Sequence, residues 1–278
     1  LLAVLALLAP VLSGAVPSAA QQLPPSTSPF TYADLVDLSE QANLVVKAKI
    51  RKQATVSPEN SPGLLPGHVR LYLEAETQAL LAGSAAIGQS LRLLADLPLD
   101  SRGRPPKLKD SEFIFFGREV PGRPGELQLL TPDSYSTAGP DEEARIRAVL
   151  REVAQPEAPP HIEAIREAIS IAGNLAGESE TQLFLETAEG TPVSLTVMRR
   201  PGMAPQWGVA WSELVDQSAR PPERETLAWY RLACFLPSEL PASANISDNE
   251  VSRRRALEDY QVVMSELGPC KRNRSRGL

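Results

Sequence analysis

The stretch from Leu44 to Leu97 constrains the fold more than any other. Val46, Ala48 and Ile50 alternate with Lys47, Lys49 and Arg51. Val69, Leu71, Leu73 and Ala75 then alternate with Arg70, Tyr72, Glu74 and Glu76, and Leu91 and Leu93 flank Arg92. A period of two puts one side chain row on a core and the other in water, so these segments are expected to be strands of a sheet closed over an apolar face. The charged row, Lys47 to Arg51 facing Arg70 to Glu76, reads as paired solvent-facing residues.

The rest of the first half extends this scaffold. Thr31 is expected to cap a helix with Asp34 in its first turn, ending near Gln41 to Asn43. Strands are expected over 44–56, 68–81, 89–97, 112–118 and 126–130. Phe113 and Phe115 fall on one face of the fourth and Ile114 and Phe116 on the other, as in a strand that is central or capped by a helix. Pro140 opens a helix with Asp141, Glu142 and Glu143 at its positive end and Ile146, Val149, Leu150 and Val153 on one side. Pro156 and Pro159-Pro160 close the unit.

The second half is expected to be an antiparallel meander followed by helices. Ile162 to Ile171 fits either period and is assigned to a strand because Gly173-Asn174 and further β-type segments follow. Strands over 181–187, 192–198 and 206–213 come next, the last with Trp207, Val209 and Trp211 on one face. A helix is expected from Pro222 to Pro237. A second begins at a capping box, Ser247 to Glu250, buries Leu257, Tyr260, Met264 and Leu267, and stops at Gly268-Pro269. The fold class is α+β, mainly β: a five-stranded OB-like barrel with flanking helices over 21–156, then a β-meander packed by two C-terminal helices over 157–278.

Composition bounds the function. A net charge of −6 argues against a nucleic-acid binder, whose affinity comes from Lys and Arg on phosphates. Residues 1–20 read as a secretory leader: an apolar run from Leu1, then small residues ending Ser18-Ala19-Ala20, which predicts a mature start at Gln21 and a periplasmic or secreted protein. No segment reads as a membrane span. In an oxidising compartment the two cysteines, Cys234 and Cys270, read as a disulfide.

Chemistry-bearing motifs are sparse. Hydrolase, zinc-protease, phosphate-loop and calcium-loop signatures are absent from the sequence, so no catalytic residue, metal ligand or cofactor is assigned. The basic loop from Asp100 to Asp110 reads as a solvated segment, with an anion-binding rim as its rival. His68 and His161, the two histidines, each sit at an element start without a nucleophile motif. Trp207 and Trp211 are the candidate ligand-binding residues, as a stacking platform for a sugar or peptide; core packing is the rival reading.

Two resemblances add to this. Tyr32-Ala33-Asp34-Leu35-Val36, then Ala42-Asn43-Leu44-Val45-Val46, with Phe113-Ile114-Phe115-Phe116 later, resembles exported bacterial domains whose barrel is similar to that of tissue metalloproteinase inhibitors. The likeness covers Phe30 to Leu130. The N-terminal Cys that those inhibitors use to bind metal has no counterpart, so inhibition is not carried over. Asn174-Leu175-Ala176-Gly177-Glu178 and Trp229-Tyr230-Arg231-Leu232-Ala233-Cys234-Phe235-Leu236-Pro237 make the chain similar to uncharacterised exported proteins of sphingomonad-type bacteria, a resemblance that implies export and assigns no particular activity. The sequence therefore points to an exported, non-enzymatic binding or assembly module with a protein or glycan partner in the cell envelope. The alternative is an envelope hydrolase or enzyme inhibitor with an unrecognised site.

Overall fold

A computed structural model describes residues 29–84, 87–212 and 220–274. The expected leader and the start at Gln21 lie outside the described residues. Helix α1 (Tyr32–Gln41) starts where the sequence places it: Thr31 Oγ1 accepts the Asp34 N–H at 3.1 Å, and the Asp34 carboxylate accepts the Thr31 N–H at 2.8 Å. Two orphan donors at the helix start are met at once.

Strands β1 (Leu44–Thr55), β2 (His68–Ala82), β3 (Ser90–Pro98), β4 (Glu112–Glu119) and β5 (Glu126–Leu129) form a closed barrel in the order β1-β2-β3-β5-β4, with β4 pairing back to β1 through Val46 and Phe115. β3 and β5 run parallel and the other pairs antiparallel, which is the OB arrangement. Register shifts in β1 at Val45/Val46, Lys47/Ala48 and Ile50/Lys52 supply the coiling that closure needs. The alternating apolar row fills the interior with Val46, Ile50, Leu71, Leu73, Leu91 and Phe115. Leu108, from the basic loop, is also buried there, held by Gln53, whose amide bonds Pro106 O and Leu108 N at 2.8 and 2.7 Å. The loop thus plugs one end of the barrel while Arg102, Lys107 and Lys109 all face water.

Gly117 lets β4 and β5 approach. A Cβ there would sit 2.5 Å from Gln128 O and 2.9 Å from a Leu127 methyl. A short strand that the sequence pattern did not reveal, β6 (Tyr135–Thr137), pairs with Phe113–Phe115 on the edge of β4 that β5 leaves at Gly117. Three residues are too few for a period, so the Tyr135 ring buried against Phe113 and Phe115 is what anchors it.

Val45, Ile114 and Phe116 point outward from the barrel into a second core with α1 and α2 (Pro140–Val153). The same core continues into an antiparallel sheet of β7 (Ile162–Ala172), β8 (Ser179–Thr187), β9 (Val193–Arg199) and β10 (Gln206–Ala210), ordered β10-β9-β8-β7. Helices α3 (Leu227–Ala233) and α4 (Glu250–Leu267) complete it. The α+β class, barrel first and helix-packed meander second, is as expected. Among the described residues no helix is long and apolar enough to cross a membrane.

Three local readings are corrected. α3 begins at Leu227, not Pro222, because Thr226 is the residue whose hydroxyl accepts an N–H, that of Trp229, at 3.2 Å. α4 is capped by Asn249, whose side chain accepts the Ser252 N–H at 2.9 Å. Ser247 is fully buried instead, accepting the Ser170 N–H at 3.0 Å. The buried face of α4 is Ala256, Asp259, Tyr260, Val263 and Leu267, whereas Leu257 is exposed. The helix is rotated by about one residue because Asp259 takes an inward position, accepting bonds from Thr181 Oγ1 and Arg199 Nε.

Cys234 and Cys270 form the expected disulfide, joining the end of α3 to a point just past α4. Beyond it the chain returns to α1. Arg272 Nε donates to Asp37 at 2.6 Å, and the Asn273 and Arg274 N–H groups donate to Asp34 at 3.0–3.1 Å. Asp34, 1% exposed, so serves both the helix cap and this terminal strap.

Candidate functional site

A cavity of about 920 Å³ lies where the last turn of α1, the Pro156–Pro160 linker, the β8–β9 turn and α3 meet. Each wall has a local cause. The linker's prolines end α2 and cannot continue either a helix or a sheet centre, so the chain crosses from α2 to β7 as an irregular wall. Gly190, at positive φ, makes the tight turn that presents Glu189. Thr226 fixes the start of α3 and hence the direction of Arg231 one turn on.

Arg231 is the most constrained side chain of the cleft. Only 3% of its side chain is exposed. Its Nε donates to Pro159 O at 2.9 Å, one Nη bonds Glu40 Oε1, and the guanidinium lies 5.5 Å from the Tyr230 ring centre. The remaining group, Nη1, is buried with no hydrogen-bond partner among the described residues, and so is the hydroxyl of Ser39, another wall residue. A buried donor without an acceptor costs about 1–3 kcal/mol, more when charged, and is a place where a ligand atom would be gained.

His161 sits beside this pair, directly before β7. Its Nδ1 is 2.7 Å from Glu189 Oε1 and its Nε2 is 3.2 Å from Glu40 Oε1, while its backbone N–H donates to Glu189 Oε2 at 3.0 Å. Burial opposes ionisation of Glu189, but the bonds from the His161 ring, the backbone and the charge of His161 outweigh it and hold the carboxyl below its usual range. The two carboxylates engage opposite ring nitrogens and do not converge on one point. Among the described residues no group of three or more His, Cys, Asp or Glu is placed to hold a metal ion.

The structure separates the two candidate tryptophans. Trp211, half-buried just past β10, lines the cleft. Trp207 is 4% exposed within the shared core, and its indole N–H donates to Glu266 on α4 at 2.7 Å. The histidines are separated too: His68 stands half-buried at the start of β2, its ring bonded to Pro66 O at 3.1 Å. Sequence reasoning missed Arg231, Glu40, Ser39 and Glu189. One signal was present, since Arg231 follows Leu227 by four residues and so places a charge on the inward face of an apolar helix.

A second groove, about 660 Å³, runs over β2, β3 and β5 beside Tyr72 and the exposed Leu94. Its arginines are committed: Arg70 to Asp96 at 2.7 and 2.8 Å, and Arg92 and Arg123 to Glu126 at 3.9 and 3.4 Å. The groove therefore lacks the surplus positive charge that phosphate binding needs. No family model matches the chain, and no curated protein matches it.

Proposed function

We propose that the chain is an exported, non-enzymatic binding module whose ligand occupies the cleft between α1, the proline linker and α3. One observation carries this reading: Arg231, a buried guanidinium held on three sides, keeps its Nη1 without an acceptor among the described residues, in a side chain that lines a 920 Å³ cleft. That volume is within the range of about 300–1,000 Å³ usual for ligand sites. Trp211 adds an aromatic face at the same cleft.

The hydrolase alternative has less support. Both ring nitrogens of His161 already face carboxylates, so neither is left to take a proton from a nucleophile. The leader-like residues 1–20 and the Cys234–Cys270 bridge support export, since disulfides persist in oxidising compartments.

Titration of isotope-labelled protein with cell-wall glycan fragments and with envelope-protein peptides tests the reading. A binder is expected to shift the Trp211 indole and Arg231 side-chain signals, and Trp211→Ala to weaken it about tenfold or more. If every binder found maps elsewhere, the cleft is not the site. Export predicts Gln21 as the N-terminus of protein recovered outside the cytoplasm; mass spectrometry showing an intact leader there refutes it.

A further inference from the structure

Resting on the cleft as the ligand site, we propose that its ligand is a peptide segment of a partner protein bearing a lysine or arginine. Two independent features of the wall define complementary halves of such a ligand.

The first is the spare Arg231 Nη1 with the Ser39 hydroxyl. It calls for an acceptor oxygen, and the neutral carbonyl of a peptide bond supplies one. An anionic acceptor would meet the second feature, the charge of the surrounding wall. Glu40, Glu157 and Glu189 line the cleft, against one guanidinium, Arg231, and one imidazole, His161. Arg231 is already matched by Glu40, which also faces His161. Glu157 is exposed and Glu189 is half open at 45% of its side chain, so both stand where an incoming cation reaches them. The surplus is therefore negative, repelling carboxylates and phosphates and attracting ammonium or guanidinium groups.

The remaining wall suits a chain rather than a free amine. Pro156, Pro159 and Pro160 and the Trp211 ring add apolar surface to the same cleft. A peptide that places a carbonyl on Arg231 can lay its aliphatic stem along the prolines and bring its charged head to Glu157 and Glu189. A neutral glycan meets the Arg231 donor and the Trp211 ring but makes no use of the excess carboxylates.

The test titrates the full chain with acetylated, amidated pentapeptides carrying a central lysine, norleucine or glutamate, and with chitotetraose as the glycan probe. Signals of Trp211 and Arg231 are followed. The lysine peptide is expected to bind about fivefold or more tighter than the norleucine peptide, the size of one partly exposed ion pair, and the glutamate peptide weakest. Glu157→Gln, at an exposed position, is expected to remove most of the lysine preference. Equal binding of the lysine and norleucine peptides overturns the inference. So does chitotetraose binding at Trp211 while the peptides do not, an outcome that keeps the cleft as the site. If no probe moves either signal, the inference falls together with the reading it rests on.

Discussion

Asp34 concentrates more of the fold than any other single residue. Its carboxylate caps α1 and accepts the backbone N–H groups of Asn273 and Arg274, all while almost fully buried. Asp34→Ala leaves three backbone donors without their acceptor and is expected to lower stability by about 3 kcal/mol, read from urea unfolding. Glu189 gives a pH signature. Its carboxyl is held below the usual range, so the stability it contributes is present above the unfolded-state value of 4.5 and is lost as pH falls through the lower folded value. The melting temperature of Glu189→Gln is therefore expected to decline less steeply than that of the unaltered chain below pH 4.5. A parallel decline in both proteins would remove Glu189 from the account. Residue types alone made Thr31, Asp34 and the cysteine pair legible, because caps and disulfides have short-range or compartmental rules. They could not reveal that Asp34 has a second task, since its partners lie 239 and 240 residues away.

Elements were legible in proportion to their period. The strands of the barrel alternate cleanly, and β1 to β5 form within a residue or two of their expected bounds. β4 is apolar on both faces because it is covered on both, by the barrel interior and by α1 and α2. β6 is too short to carry a period. α4 was misphased because a hydrophobic pattern counts Leu257 inward and Asp259 outward, whereas the Arg199 and Thr181 bonds reverse that order. The element-scale prediction concerns Gly117. Gly117→Ala sets a Cβ against the Gln128 carbonyl, a backbone atom that cannot swing aside. A loss of about 2 kcal/mol or more in chemical unfolding is expected, with the hydrogen-exchange protection of β5 falling most. Normal stability in that variant would show that β4 and β5 can separate at no cost.

For the whole molecule, one core runs from the outer face of the barrel through α1 and α2 into the second sheet and α3 and α4. Glu152 ties three helices within it, accepting the Tyr32 hydroxyl at 2.6 Å and the Leu227 N–H at 3.0 Å. Burial and that carboxylate push the Tyr32 hydroxyl well above its ordinary titration range. The cleft is assembled from this packing: its walls come from residues near 40, 160, 190, 211 and 231, which no local sequence window brings together. The disulfide spans 36 residues, and closing a loop of that length is worth about 4 kcal/mol in the chain-entropy model. Replacing both Cys234 and Cys270 by Ala is expected to lower stability by up to that amount under non-reducing conditions. Equal unfolding midpoints for the two proteins would show that the bridge constrains nothing.

The terminal strap has a consequence for the order of events during synthesis. The first helix of the fold is finished by residues made much later, because the Asp34 and Asp37 side chains find their partners at 272–274. A chain emerging N-terminus first into the compartment where it folds can close its barrel, whose strands all precede residue 130. It cannot seat α1 fully, nor form the bridge to Cys270, until residues 270–274 are free. α1 is therefore locked only by a segment about 240 residues downstream, after the barrel has had the chance to close.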